Sequence, residues 1–161
     1  MHRLAAAIGT PGVDSSYTLG LAVKASQRLR DRARGTVVFS QPAGPGCCVG
    51  ASQKPMCQAC AYWRARGVLD AIRVVLVVPD ATVFGISQVD EELDRKIREY
   101  GIELLTESAI TEVRSSERLL DLPSRHAVRS QALASPPPTR PPPQRGPHRP
   151  PPPRVSSRPS T

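Results

Sequence analysis

The chain is predicted to be α/β: a parallel sheet flanked by helices, followed by a disordered Pro/Arg-rich tail. Residues 37–39 and 72–78 are short, valine-rich apolar runs bounded by turn residues, the pattern of strands buried on both faces. Helical spacing fills the segments between and after them, so the order strand, helix, strand, helix, strand is that of βαβ units with right-handed crossovers. From about Ser124 onward arginines alternate with proline runs and no acidic residue occurs. Such a segment buries too little apolar surface to offset its ordering entropy.

Each element has its own signal. Residues 1–8 are apolar, basic and short, and read as the end of a strand or a loop. Ser15-Ser16 ahead of Tyr17-Thr18-Leu19 are candidate caps for a helix running to about Arg30, and a charged turn then leads to a strand at 36–40. A second helix is expected with Ser52 as N-cap, passing Tyr62 and Trp63 and ending at Gly67. Pro55 then falls in its first turn, where a missing N–H costs little. The run 72–78 ends at Pro79-Asp80. Val89, Leu93 and Ile97 recur every four residues on a charged background, an amphipathic helix that Gly101 stops before a strand at 102–105. Residues 110–113 make a further short strand.

The formal charge of +8 resides almost wholly in the tail. Residues 1–123 hold 15 basic and 14 acidic groups, whereas 124–161 hold 7 arginines and no acid. The part expected to fold is near neutral and offers no phosphate-tracking surface, so nucleic acid is not an expected partner for it. No apolar stretch approaches the roughly 20 residues that span a bilayer, and no secretory leader is evident, which points to a cytoplasmic protein. The chain length suits one domain, and the 4% aromatic content limits how dense its core can be.

Chemistry concentrates in residues 41–54, QPAGPGCCVGASQK, which place Cys47 and Cys48 in a glycine-rich loop between a strand and a helix. A helix N-terminus carries partial positive charge and Lys54 adds a full one, so a cysteine just ahead of it is favoured as thiolate. Cys48 is the better placed of the two, ahead of Cys47. The same loop superficially fits a GxGxxxG dinucleotide motif with Asp80 as ribose acid, although Pro45 and two cysteines suit a pyrophosphate poorly. Cys57 and Cys60 form a CxxC that, with Cys47 and Cys48, offers four thiolates to zinc or an iron–sulfur cluster. Their place inside a helix favours thiols of no special role, and no metal site is assigned.

The loop, together with Tyr62-Trp63-Arg64, Phe84-Gly85-Ile86, Tyr100-Gly101-Ile102, Thr111-Glu112-Val113 and the upstream residues 7–13 with Ser16-Tyr17, resembles the middle of a sulfide:quinone oxidoreductase. In one branch of that flavoprotein family the loop reads QPAGPIKCAGAPQK. The resemblance covers about two-thirds of the chain. It implies an incomplete Rossmann-like, FAD/NAD(P)-binding-type domain over 1–115, with a linker and disordered tail over 116–161. It also implies FAD as cofactor, Cys48 as the residue that takes up sulfide sulfur as a persulfide, quinone as electron acceptor, and peripheral membrane association of the complete enzyme. The sequence departs from the pattern at Cys47, where the family commonly has lysine, at Gly46, Val49 and Ser52, and in having no upstream GxGxxG or distant second cysteine. The expectation is an interior fragment, or a frameshifted product, inactive alone. The rival readings are a non-catalytic interaction protein acting through its Pro/Arg tail, and a metal or redox sensor using all four cysteines.

Overall fold

A computed structural model describes residues 2–44, 49–114, 119–122, 127–129 and 132–134. In chain order the elements are β1 (His2–Arg3), α1 (Leu4–Ala7), β2 (Val13–Asp14), α2 (Leu19–Asp31), β3 (Gly35–Ser40), α3 (Gly50–Ala65), β4 (Ile72–Val77), α4 (Ser87–Tyr100), β5 (Glu103–Leu105), β6 (Glu112–Arg114), β7 (Leu119–Asp121), β8 (Ala127–Arg129) and β9 (Ala132–Ala134). The parallel α/β sheet and its flanking helices are as predicted.

Valine-rich strands sit at the centre because both their faces are covered. The main sheet runs β2-β9-β3-β4-β5 with every pairing parallel. In β3 and β4, Val37, Phe39, Val74 and Leu76 project to one side and pack with Met56, Cys60 and Trp63 of α3 and Ile97 and Tyr100 of α4. Val38, Val75 and Val77 project to the other side and meet Ala7, Val13, Ile110, Val113 and Leu120. That second face lies under a smaller antiparallel sheet, β1-β6-β7-β8. The layers are therefore helices, parallel sheet and antiparallel sheet, and the period-2 alternation of β3 and β4 feeds both cores.

Several boundaries differ from the sequence expectation for identifiable reasons. The first long helix begins at Leu19, with Thr18 as N-cap, while the Ser15 hydroxyl accepts from the Tyr17 N–H at 3.2 Å and shapes the turn ahead of it. Helix α3 begins two residues before Ser52, because Val49 already has helical angles (φ −53°, ψ −35°). Ser52 thus lies in the first turn and Pro55 is the sixth helical residue, where the ring removes the bond that would otherwise reach the Ala51 carbonyl. Residues 110–113 were expected to form a strand; the strand is Glu112–Arg114 and pairs antiparallel with β1 and β7. Strands β7, β8 and β9 carry the α/β unit past residue 115, since β9 inserts between β2 and β3 by backbone pairing that composition does not reveal. Residues 135–161 lie outside the described residues.

The helix layer is closed by one buried ring and one surface ion network. Trp63 is fully buried and its Nε1 donates to the Leu29 carbonyl at 2.7 Å, tying α3 to the end of α2. Gly101 ends α4 in the left-handed region (φ 65°), which glycine adopts without steric cost. Glu99 accepts from Lys96 at 2.8 Å and from Arg64, whose guanidinium also lies 4.8 Å from the Tyr100 ring centre. The bonds from Lys96 and then Arg64 hold the Glu99 carboxyl down at about 2. A carboxylate lowered in the folded chain contributes stability above its unfolded range and loses it as pH falls through the folded value. Stability is therefore expected to decline between about pH 4.5 and 2, with a shallower slope in Glu99→Gln. Denaturant melts across that window check this; identical slopes refute it.

Candidate functional site at the carboxyl edge of the sheet

Six side chains among the described residues are both polar and buried: Asp14, Ser15, Ser40, Ser52, Gln53 and Ser108. All six lie at or just beyond the carboxyl ends of the parallel strands. Asp14 and Ser15 close β2, Ser40 is the last residue of β3, Ser52 and Gln53 are in the first turn and a half of α3, and the Ser108 N–H donates to the carbonyl of Val78 just past β4 at 3.0 Å. Burying polar groups is costly unless they are bonded, so their concentration at one edge makes it the candidate site. In open α/β sheets this edge is where ligands bind.

Some of these groups are satisfied and some are not. Asp14 accepts from Arg28 Nη1 at 2.8 Å, an ion pair that joins the end of β2 to α2. Gln53 Nε2 donates to the Val83 carbonyl at 2.9 Å and anchors the β4–α4 connection to α3. The other amide atom, Gln53 Oε1, is buried without a partner, as are Ser52 Oγ and Gln41 Oε1. Ser40 Oγ lies 3.5 Å from the Gln41 carbonyl, too long for a good O–H···O bond. The Gln41 N–H donates to the Val77 carbonyl at 3.0 Å, so its backbone is held in line with β4. Gln41 thus enters the cysteine loop, and Ser52 and Gln53 leave it. Gly44 turns the chain between them at φ 109°, with open space where a Cβ would stand, so glycine is required there by backbone conformation.

Cys47 and Cys48 lie outside the described residues. The helix that follows them, α3, is 16 residues long, and Lys54 is exposed near its N-terminal end. Cys57 and Cys60 are both in the middle of α3. Cys60 is fully buried in the core and burial pushes its thiol up to about 12. Burial also raises the half-buried Cys57, partly opposed by the charge of Lys96. Asp80 is exposed beyond β4, and its carbonyl accepts from the Glu107 N–H at 3.0 Å. Among the described residues no three His, Cys, Asp or Glu side chains gather at metal-binding distance.

A thiol with a pKa near 12 is thiolate to only about 10⁻⁴ or less at neutral pH. Alkylation by iodoacetamide at pH 7.5 is therefore expected to leave Cys60 unmodified in the native chain and to modify it fully in denaturant. Peptide mass mapping reads the result; rapid native labelling at Cys60 would contradict the packing of α3 described above.

Sequence reasoning singled out the cysteines and missed Gln41, Gln53 and Asp14. The signal for the glutamines was present, since they bracket the loop motif, but a glutamine acquires a role only from where its amide is buried.

The same architecture recurs in solved oxidoreductases. The sulfide:quinone oxidoreductase of the hyperthermophilic bacterium Aquifex aeolicus superposes with a TM-score of 0.64 at 16% identity, over 77% of this chain and 31% of that one. The fold is that of FAD/NAD(P)-dependent oxidoreductases. A ferredoxin reductase of Rhodopseudomonas palustris gives 0.60 at 16% identity, over 79% and 29% of the two chains. The water-forming NADH oxidase of Lactobacillus brevis gives 0.53 at 14%, over 79% and 26%. The chain thus spans about a third or less of the length of these proteins. No protein-family model matches the sequence, and no curated protein sequence matches it.

Proposed function

We propose that this chain forms part of a flavin-dependent oxidoreductase of the sulfide:quinone type, with Cys48 as the thiol that takes up sulfur and Cys47 as its relay partner. The observation that carries the reading is the set of unpartnered buried atoms, Gln41 Oε1, Ser52 Oγ and Gln53 Oε1, on the two arms of the cysteine loop. Buried polar atoms without partners are costly, and a polar ligand at the loop satisfies them. The likeness to an oxidoreductase that joins sulfide to quinone supports the choice of chemistry.

The unpartnered atoms are two amide oxygens and one hydroxyl, chemistry that would suit the N–H-bearing edge of a flavin ring, and all three residues flank the proposed thiol in sequence. Among the described residues no glycine cradle for the dinucleotide phosphates accompanies them, so this chain would hold the ring and leave the pyrophosphate to other residues. Bound FAD supplies two-electron transfer that no side chain here provides. The residues of this chain orient the thiol, exclude water from the sheet edge and, through the partial positive charge at the start of α3, favour the thiolate. In the proposed reaction sulfide attacks Cys48 of a Cys47–Cys48 disulfide, which leaves a Cys48 persulfide and a Cys47 thiol. The outer sulfur passes to a small sulfur acceptor, and the two electrons released when the disulfide re-forms would go through FAD to a quinone. No described helix is long and apolar enough to cross a membrane.

The test is flavin spectroscopy on the complete enzyme that contains this chain, mixed with FAD. Retained flavin, bleached by sulfide and restored by a soluble quinone, is the expected result. Failure to retain FAD overturns the flavin reading. Retained FAD that sulfide leaves oxidised overturns the sulfide reading alone.

A further inference from the structure

Helices α2 and α3 meet through Trp63 and Leu29 and leave between them a cleft of about 470 Å³, a size typical of pockets that take small organic ligands. Its lining combines two chemistries. Ala25, Leu29, Pro55 and Ala59 supply apolar surface, and Tyr62, 41% exposed, adds an aromatic face. Ser26, Gln58 and Arg30 supply a hydroxyl, an amide and a positive charge.

Arg30 is a cation without a counter-charge. None of the ion pairs among the described residues involves it or Arg66. A helix end carries partial negative charge on its last carbonyls, and a nearby guanidinium often serves to offset it. At the end of α2 that task falls to α3. Trp63 Nε1 donates to the Leu29 carbonyl, and Arg66 donates to the Arg30 carbonyl while lying 5.6 Å from the Tyr62 ring centre. The Arg30 guanidinium is left facing the cleft region with its charge unmatched. A flat apolar ring with one anionic substituent has the complementary shape and charge, the ring against the apolar lining and Tyr62, the anion on the guanidinium.

Arg30 also stands apart from the carboxyl edge of the sheet. Helix α2 starts at Leu19, just after β2, and Arg30 lies near its far end, about 17 Å further along the axis.

We propose that the α2–α3 cleft binds an aromatic anion, a flat one- or two-ring arene bearing a carboxylate or sulfonate, with Arg30 as its counter-charge and Tyr62 as its stacking face. The site does not depend on the flavin reading, because it uses neither the cysteine loop nor the carboxyl edge.

The probe is the dye anilinonaphthalenesulfonate, titrated into the full-length chain and read by its fluorescence. A single saturable site is expected. Arg30→Gln is expected to weaken it about fivefold, whereas Arg34→Gln, which removes an exposed arginine outside the cleft, leaves it unchanged. Ser26→Trp fills the cleft from the exposed side of α2 and is expected to abolish binding, with circular dichroism as the check that it folds. Binding that does not saturate, that survives in folded Ser26→Trp, or that responds equally to Arg30→Gln and Arg34→Gln overturns the proposal. A ligand-side arm uses the unaltered chain and so decides the matter even if a variant unfolds. Naphthoate is expected to displace the dye at about one-fifth of the concentration that naphthol needs, and equal displacement by the two overturns the assignment of an anion to Arg30.

Discussion

Replacing Trp63 with alanine is expected to destabilise the chain by about 3–5 kcal/mol, enough to unfold much of it at room temperature. The ring is fully buried against Val37, Phe39, Met56 and Tyr100 in the helix-side core. Alanine leaves a cavity that the rigid β3–β4 face cannot collapse to fill. It also removes the donor to the Leu29 carbonyl, the bond that fixes the end of α2 over α3. Trp63→Phe separates the two contributions, since it keeps most of the apolar ring and loses the bond; its cost is expected to be about 1–2 kcal/mol. Urea melts of the three proteins make the measurement. A loss below about 1 kcal/mol for Trp63→Ala would mean that the helix layer is not packed as described.

In the complete enzyme to which this chain is proposed to belong, Cys48→Ser is expected to lower sulfide-dependent quinone reduction by about 10³-fold or more without altering the urea midpoint. Serine keeps the size of the side chain and removes its nucleophile, because a hydroxyl is not ionised near neutrality and forms no persulfide. In the proposed site the start of α3 and the charge of Lys54 favour a thiolate and have nothing to stabilise in serine. Cys57→Ser is the control: its thiol is raised by burial and lies on the α4 side of the helix, near Lys96 and Glu99. Activity that survives Cys48→Ser removes the assignment. Equal loss in Cys57→Ser shifts it to the second cysteine pair.

Much of the architecture was legible because it is carried by local pattern. The run IRVVLVV has no polar interruption after Arg73, and a strand with such a run must be covered on both faces, as β4 is. Val89, Leu93 and Ile97 announced α4, and Gly101 its end, because helix periodicity and a left-handed cap are written in neighbouring residues. The beginnings of α2 and α3 were misplaced for the opposite reason. Ser15 and Ser52 are good caps by type, yet Ser15 serves a turn and Ser52 is buried inside the helix, positions set by how α3 docks on β3 and on Val83. Strand β9 was invisible, since Ala132-Leu133-Ala134 carries no period and gains its identity only by lying between β2 and β3.

The sequence by itself determined the alternation of strands and helices, the near-neutral charge of residues 1–123, the separate composition of the tail and the glycine loop that carries Cys47 and Cys48, all properties of residues close together in the chain. Tertiary structure alone decided that β9 completes the sheet, that an antiparallel sheet covers its second face, and that Asp14, Ser40, Gln41, Ser52 and Gln53 meet at one edge. The reason is physical. Burial and hydrogen-bond satisfaction depend on neighbours that are distant in sequence, so whether a glutamine or serine is solvated or stranded without a partner arises only when the layers close over it.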